Sequence, residues 1–195
     1  MGTQNCVRDP NEILKESIQG GITAFQFREK GEGSLRGQEK LELGRRLRKT
    51  CKENNILFFV NDDVHLIELL DADGIHVGQS DTSVKEIRKK FPQKLIGLSV
   101  SNSDELARSP IDLVDYVGAG PIFPTKTKAD VKVPVGTDWI KKLRSKFPLL
   151  PIVGIGGINT ENAISVIEAG ADGVSFISVV TMAENVRATV QKLSK

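Results

Sequence analysis

The sequence predicts an α/β chain, a parallel (β/α)8 barrel lacking most of its first strand. Three observations predict it. Short β-rich runs alternate with helical patterns along all 195 residues. An αβ junction recurs, as DADGIHVGQ at 71–79 and GADGVSFIS at 170–178, each with a helix end, an Ala-Asp-Gly turn and a short strand. Eight helical patterns stand against seven strand candidates, so one strand is owed.

Met1-Gly2-Thr3 reads as the tail of that first strand, and residues 4–9 are too polar and turn-like to replace it. The chain is therefore expected to be one barrel domain over 1–195, N-terminally incomplete. The first helix, 10–19, opens on Pro10 and stops at Gly20-Gly21. Strand 22–28 leads to helix 37–53, ILFFVND at 56–62 to helix 63–70, and GIHV at 74–77 to helix 82–91. LIGLSV at 95–100 leads to helix 103–108, and DYVGAGPI at 115–122 to helix 137–146. PIVGIGG at 151–157 leads to helix 159–169, and GVSFIS at 173–178 to helix 183–193. No low-complexity linker divides the series. Parallel strands joined by right-handed crossovers are the expected outcome.

Composition excludes several classes. With 27 basic and 25 acidic residues, a net charge of +2 and no long basic run, a broad nucleic-acid footprint is not expected. No apolar run reaches the roughly 18 residues that span a bilayer. Cys6 and Cys51 make neither a C-x-x-C motif nor a disulfide framework, and no signal peptide is visible, so a reducing cytoplasm is the expected location.

Chemistry is expected at the C-terminal ends of the strands. In TAFQFREKGEG, Phe25 and Phe27 take one face while Gln26, Arg28 and Lys30 take the other. If the polar face looks into the protein, its two cations call for an anion. FFVNDD delivers Asn61 and Asp62, and the segment after GIHV delivers Gln79 and Asp81. Carboxylates from neighbouring strands suit Mg2+, which leaves positions open for water and phosphate. Helix capping by Asp62 or Asp63, and by Asp81 or Thr82, is the structural alternative.

Thr125, Lys126, Thr127 and Lys128 follow a strand with hydroxyls and ammonium groups suited to phosphate oxygens, or form a solvated loop. GIGGINT, 154–160, lets backbone amides of Gly156 and Gly157 approach a ligand at an expected helix start, with Ser178 ending the last strand beside it. His65 and His76 lack partners at metal spacing and read as packing or surface residues.

In order along the chain, QFREK, FFVNDD, DGIHVGQSD, GLSVS, YVGAGPIFPTKTK, VGIGGI and GADGVSFIS resemble the motif series of the thiamine phosphate synthase family, from about residue 10 to 185. The resemblance implies a TIM barrel and a transferase that couples hydroxymethylpyrimidine diphosphate to thiazole phosphate, giving thiamine phosphate and diphosphate. It implies that Gln26, Arg28, Lys30 and Asn61 bind the pyrimidine diphosphate and that Asp62 and Asp81 hold Mg2+. Ser99 and Lys128 would lie by the departing diphosphate, and Thr125 and Thr127 by the thiazole, whose phosphate would rest on Gly157, Ile177 and Ser178. Arg28, Lys30, Ser99 and Lys128 are then the catalytic set. Two other readings stay open, a thiazole tautomerase-like enzyme and a noncatalytic phosphate-binding relic. A homo-oligomer is compatible with all of them.

Overall fold

In the computed structural model, which describes residues 1–125 and 133–193, helix α1 runs Pro10–Gly20. Asp9 caps it by accepting from the backbone N–H of Asn11 at 2.8 Å and of Glu12 at 3.2 Å. Gly21, at φ +104°, ends it in the left-handed region that costs glycine least. Burial alone would raise the Asp9 carboxyl, but those two N–H donors, with Arg46 beside them, outweigh it and hold it below the ordinary range. A depressed folded-state value gives stability that is present above the unfolded value and is lost as pH falls through the folded one. Asp9→Ala is therefore expected to cost about 1 kcal/mol at neutral pH. The difference from the parent should shrink as denaturant melts are taken below the ordinary carboxylate range.

The remaining elements alternate. Strand β1 is Ala24–Phe27, α2 Gly37–Glu53, β2 Leu57–Asn61, α3 Leu66–Leu69, β3 Gly74–Val77 and α4 Val84–Lys90. They continue as β4 Leu95–Val100, α5 Ser103–Arg108, β5 Tyr116–Ala119, α6 Asp138–Lys146, β6 Ile152–Ile155 and α7 Ala163–Glu168. The series closes with β7 Gly173–Ser175, α8 Ser178–Thr181 and α9 Val186–Leu193. Two compact units result, Met1–His76 with Ile177–Lys195, and Val77–Phe176.

In the first unit β1, β2 and β3 pair in parallel, Phe27 opposite Val60 and Asn61 opposite His76. Phe27 and Phe58 are fully buried and stacked, with ring centroids 6.1 Å apart. Their face is turned to α2. Gly44 of that helix has no side chain because a Cβ there would lie 3.1 Å from the Phe27 ring and 2.8 Å from Leu70. Gly20 plays the same part between α1 and α9, where a Cβ would stand 2.6 Å from Val190 Cβ. Met1 extends the pairing of β1, donating to Gln26 O at 2.6 Å and accepting from Arg28 N at 3.1 Å. Thr3–Asn5 then form one 3-10 turn.

In the second unit β4 to β7 are parallel and in chain order, with Ser99 opposite Gly118 and Gly154 opposite Val174. Gly154 faces the helices, since a Cβ would stand 2.3 Å from Val166 of α7. Ser99 and Gly118 therefore occupy the opposite sheet face, away from the helices.

A repeated clamp joins strand pairs at their N-terminal ends. Arg48 of α2 pairs with Asp73, Arg88 of α4 with Asp115 and Arg144 of α6 with Asp172. Each Asp precedes β3, β5 or β7 and accepts from the backbone N–H of Phe58, Ile96 or Ile152 at 2.7 Å. The Ala-Asp-Gly junctions at 73 and 172 are thus strand starters, held on the face of a barrel that carries stability.

Several boundaries differ from expectation. Helix 63–70 shrinks to four residues because its start is a tight turn, with Leu66 N donating to Asp63 O at 3.0 Å and Ile67 N to Val64 O at 3.2 Å. Neither Asp62 nor Asp63 is its N-cap; that position is His65, without a side-chain cap. Ser83 caps α4 by accepting from Glu86 N, so Asp81 and Thr82 are not the cap. Helix 159–169 begins only at Ala163, because Asn159 and Asn162 bond each other's backbone in a turn. Strand 173–178 ends at Ser175, and Ser178 opens α8.

Candidate active site

Parallel pairing in the first unit puts the C-terminal ends of β1 and β2 at one edge, and the polar row of β1 arrives there. Gln26 and Arg28 lie on the face opposite Phe25 and Phe27, and Lys30 lies two residues beyond Arg28. Lys30 Nζ meets Asp62 Oδ2 at 2.6 Å. Two of the predicted motifs, QFREK and FFVNDD, therefore converge. Asp62 N donates to His76 O at 3.0 Å, and the neighbouring carboxylate of Asp63 goes instead to Lys40 of α2. The adjacent carboxylates thus go to different partners, and Asp62 carries a left-handed backbone at φ +62°. Such strain at a strand end is the kind that functional sites keep.

Asn61 closes β2 at 8% exposure, on the same strand face as Gln26 by register. His76, at 5% exposure and opposite Asn61, shares that face. Sequence reasoning read His76 as a core or surface residue, and the structure buries it level with Asn61. Ile177 and Ser178 stand at the start of α8, where Ile177 is the N-cap and Ser178 O accepts from Met182 N.

The second unit carries the rest of the set. Asp81 Oδ2 accepts from Gly78 N at 2.8 Å, which turns the chain sharply after β3. Gln79 Nε2 donates to Ser99 O at 2.9 Å and to Ser109 Oγ at 3.1 Å, bracing the end of β4 where Ser99 sits. Beyond β5 the chain runs along the segment after β6: Ile122 N donates to Ile155 O at 2.8 Å and Phe123 N to Gly156 O at 3.1 Å. That pairing brings Phe123 and Pro124 against Gly157, one residue before Thr125. A Cβ on Gly157 would lie 2.6 Å from Pro124 O. Gly157 O in turn accepts from Asn162 Nδ2 at 3.0 Å. Because α7 starts six residues later, no helix end stands at Gly157, contrary to expectation. Lys126, Thr127 and Lys128 lie outside the described residues.

Thiol chemistry has no support. Burial pushes the Cys51 thiol up to about 12 and the partly buried Cys6 thiol up to about 11, so neither is a ready thiolate. Among the described residues no group of three or more His, Cys, Asp and Glu gathers to hold a metal. A hard cation held by one or two carboxylates and a phosphorylated substrate needs no such group. No described helix is long and apolar enough to cross a membrane.

Parallel strands each leading into a helix, with polar side chains past their C-terminal ends, are the pattern of the (β/α) class of α/β proteins. The model of the thiamine monophosphate synthase family matches residues 1–180. A thiamine-phosphate synthase of Oceanobacillus iheyensis is 57% identical over 99% of this chain and 94% of its own length. One from Bacillus cereus is 49% identical over 99% and 88%. The solved thiamine phosphate pyrophosphorylase of Pyrococcus furiosus superposes with a TM-score of 0.86 at 35% identity, over 96% of this chain and 89% of that one. The chain belongs to the thiamine-phosphate synthase family, transferases of thiamine biosynthesis.

Proposed function

We propose that this chain condenses 4-amino-5-hydroxymethyl-2-methylpyrimidine diphosphate with hydroxyethylthiazole phosphate, releasing diphosphate and giving thiamine phosphate. The observation that carries the reading to individual residues is the meeting of Lys30 with Asp62, a cation and a carboxylate from the two motifs assigned to the diphosphate. A tautomerase has no need of that pairing, because its reaction displaces no diphosphate.

Gln26, Arg28, Lys30 and Asn61 bind the pyrimidine diphosphate in this reading. The bond that breaks joins the pyrimidine methylene carbon to the diphosphate oxygen, and its electron pair leaves with the diphosphate. The aminopyrimidine ring stabilises the methylene cation, and the thiazole nitrogen lone pair then forms the new C–N bond. No side chain has to move a proton. The work of the site is to neutralise departing charge, through Arg28, Lys30, Lys128 and the hydroxyl of Ser99, and to hold the thiazole in line. Asp62 and Asp81 are hard oxygen donors that fit Mg2+, which when bound supplies further charge neutralisation at the diphosphate. Thr125 and Thr127 contact the thiazole, and its phosphate lies against Gly157, Ile177 and Ser178. The same reading makes the chain a cytoplasmic enzyme of small-molecule substrates.

The test is turnover with both substrates, followed by separation of the two phosphate ends. Arg28→Ala should raise the KM for the pyrimidine diphosphate by about tenfold or more, the worth of a hydrogen bond to a charged group. The KM for thiazole phosphate should stay within about twofold. An equal loss for both substrates contradicts the assignment, and absence of turnover in the parent chain favours the relic.

A further inference from the structure

Arg28 and Lys30 flank Glu29, the one acidic residue of QFREK. Alternation turns Glu29 to the face opposite its neighbours, and there it is 4% exposed. Its carboxylate accepts three hydrogen bonds, and among the described residues no ion pair is recorded for it. It accepts from the backbone N–H of Thr3 at 2.9 Å, from the Thr3 hydroxyl and from the backbone N–H of Leu35 at 2.9 Å. Those donors come from opposite sides of the strand end: Thr3 from the 3-10 turn before α1, Leu35 from the loop that leads into α2. Gln4, next to Thr3, completes the brace, its Nε2 donating to Arg28 O at 3.0 Å and Lys30 O at 3.1 Å. The backbone of Arg28 and Lys30 is thus held from the same short turn that Glu29 grips.

We propose that Glu29 is a positioning residue for the diphosphate-binding cations, acting with Thr3 to fix where Arg28 and Lys30 point. This rests on the assignment of Arg28 and Lys30 to the pyrimidine diphosphate. Three donors on one carboxylate, two of them backbone, fix the strand end more tightly than side-chain packing alone. A carboxylate so placed is otherwise a liability, since an anion one residue from two phosphate-binding cations weakens their field. Buried and held by three donors, it supplies geometry at the strand end that offsets the lost field.

That opposition of sign makes the experiment decisive. Were Glu29 only a negative charge near the site, Glu29→Gln would strengthen binding of the pyrimidine diphosphate. As a positioning residue its loss should raise the KM for that substrate by about tenfold, with the KM for thiazole phosphate within about twofold. Thr3→Val, which removes one donor and leaves every charge in place, should move the same KM in the same direction, and Thr3→Ser should restore it. Both variants are measured beside Arg28→Ala, with melting temperatures recorded. If Arg28→Ala raises the pyrimidine KM while folded Glu29→Gln and Thr3→Val leave it unchanged or lower it, the positioning role is wrong and the substrate assignment stands. If Arg28→Ala also leaves it unchanged, the assignment fails and takes the positioning role with it. Should Glu29→Gln not fold, Thr3→Val and its serine rescue decide alone.

Discussion

Asp62→Asn is expected to lower turnover by about a thousandfold while leaving the melting temperature within a few degrees of the parent. Asparagine is the informative replacement, because Asp62 sits at φ +62° and Asn is among the few residues that tolerate that backbone. The variant keeps the shape and removes the charge. With it goes the charge that Lys30 meets at 2.6 Å, and in the proposed reading a donor to Mg2+. Asp81→Asn should behave alike, since its amide oxygen can still accept from Gly78 N, the bond that shapes the turn after β3. Stopped assays across a Mg2+ titration read the result. Both variants should need more metal and reach a lower plateau, whereas full activity of the parent in EDTA would sink the assignment.

The contrast between Asp62 and Asp63 explains part of what the sequence could and could not say. Two adjacent carboxylates are indistinguishable as letters, and either could cap the next helix. The fold decides between them, giving Asp62 a left-handed backbone and the partner Lys30 while Asp63 goes to Lys40. Backbone sign is a tertiary outcome that no periodicity encodes. Elements set by apolar spacing were legible instead: 37–53, 74–77, 95–100 and 103–108 appear with the bounds read from the pattern. Boundaries moved where a short polar side chain engaged nearby backbone, as Asn159 and Asn162 do before α7 and Ser83 before α4.

The clamps show a second limit. The repeat of Ala-Asp-Gly exposed the junctions at Asp73 and Asp172, but Asp115 is followed by Tyr and carries no such flag. What unites the three is an Arg placed 25, 27 or 28 residues earlier, on the helix before the preceding strand and helix, a separation that varies with element and loop length. Only the fold makes them equivalent. For the same reason Gln79 was legible as a polar residue past a strand, while its bond to Ser99 O needed β4 to be in place.

Gly157→Ala is expected to weaken the thiazole phosphate end far more than the pyrimidine end. The residue sits at φ +68°, where a side chain costs roughly 1 to 2 kcal/mol of backbone strain. The added methyl would also lie 2.6 Å from Pro124 O and 2.7 Å from Phe123 Cβ, atoms of a segment tied by Phe123 N to Gly156 O. Neither is the free tip of a flexible side chain, so relief requires the loop after β6 and the segment leading to Thr125 to separate. Overpacking of this kind adds about 1 to 3 kcal/mol. The backbone amides at Gly157 and the hydroxyl of Thr125, both assigned to the thiazole substrate, are displaced together. Thiazole phosphate KM should therefore rise by at least about tenfold with some loss of melting temperature. The KM for pyrimidine diphosphate should hold, because Gln26, Arg28 and Lys30 are braced by Met1, Thr3 and Gln4 in the other unit. A folded Gly157→Ala enzyme with both constants unchanged would show that the thiazole phosphate binds elsewhere. A rise in both by the same factor would mean that the glycine serves the fold alone.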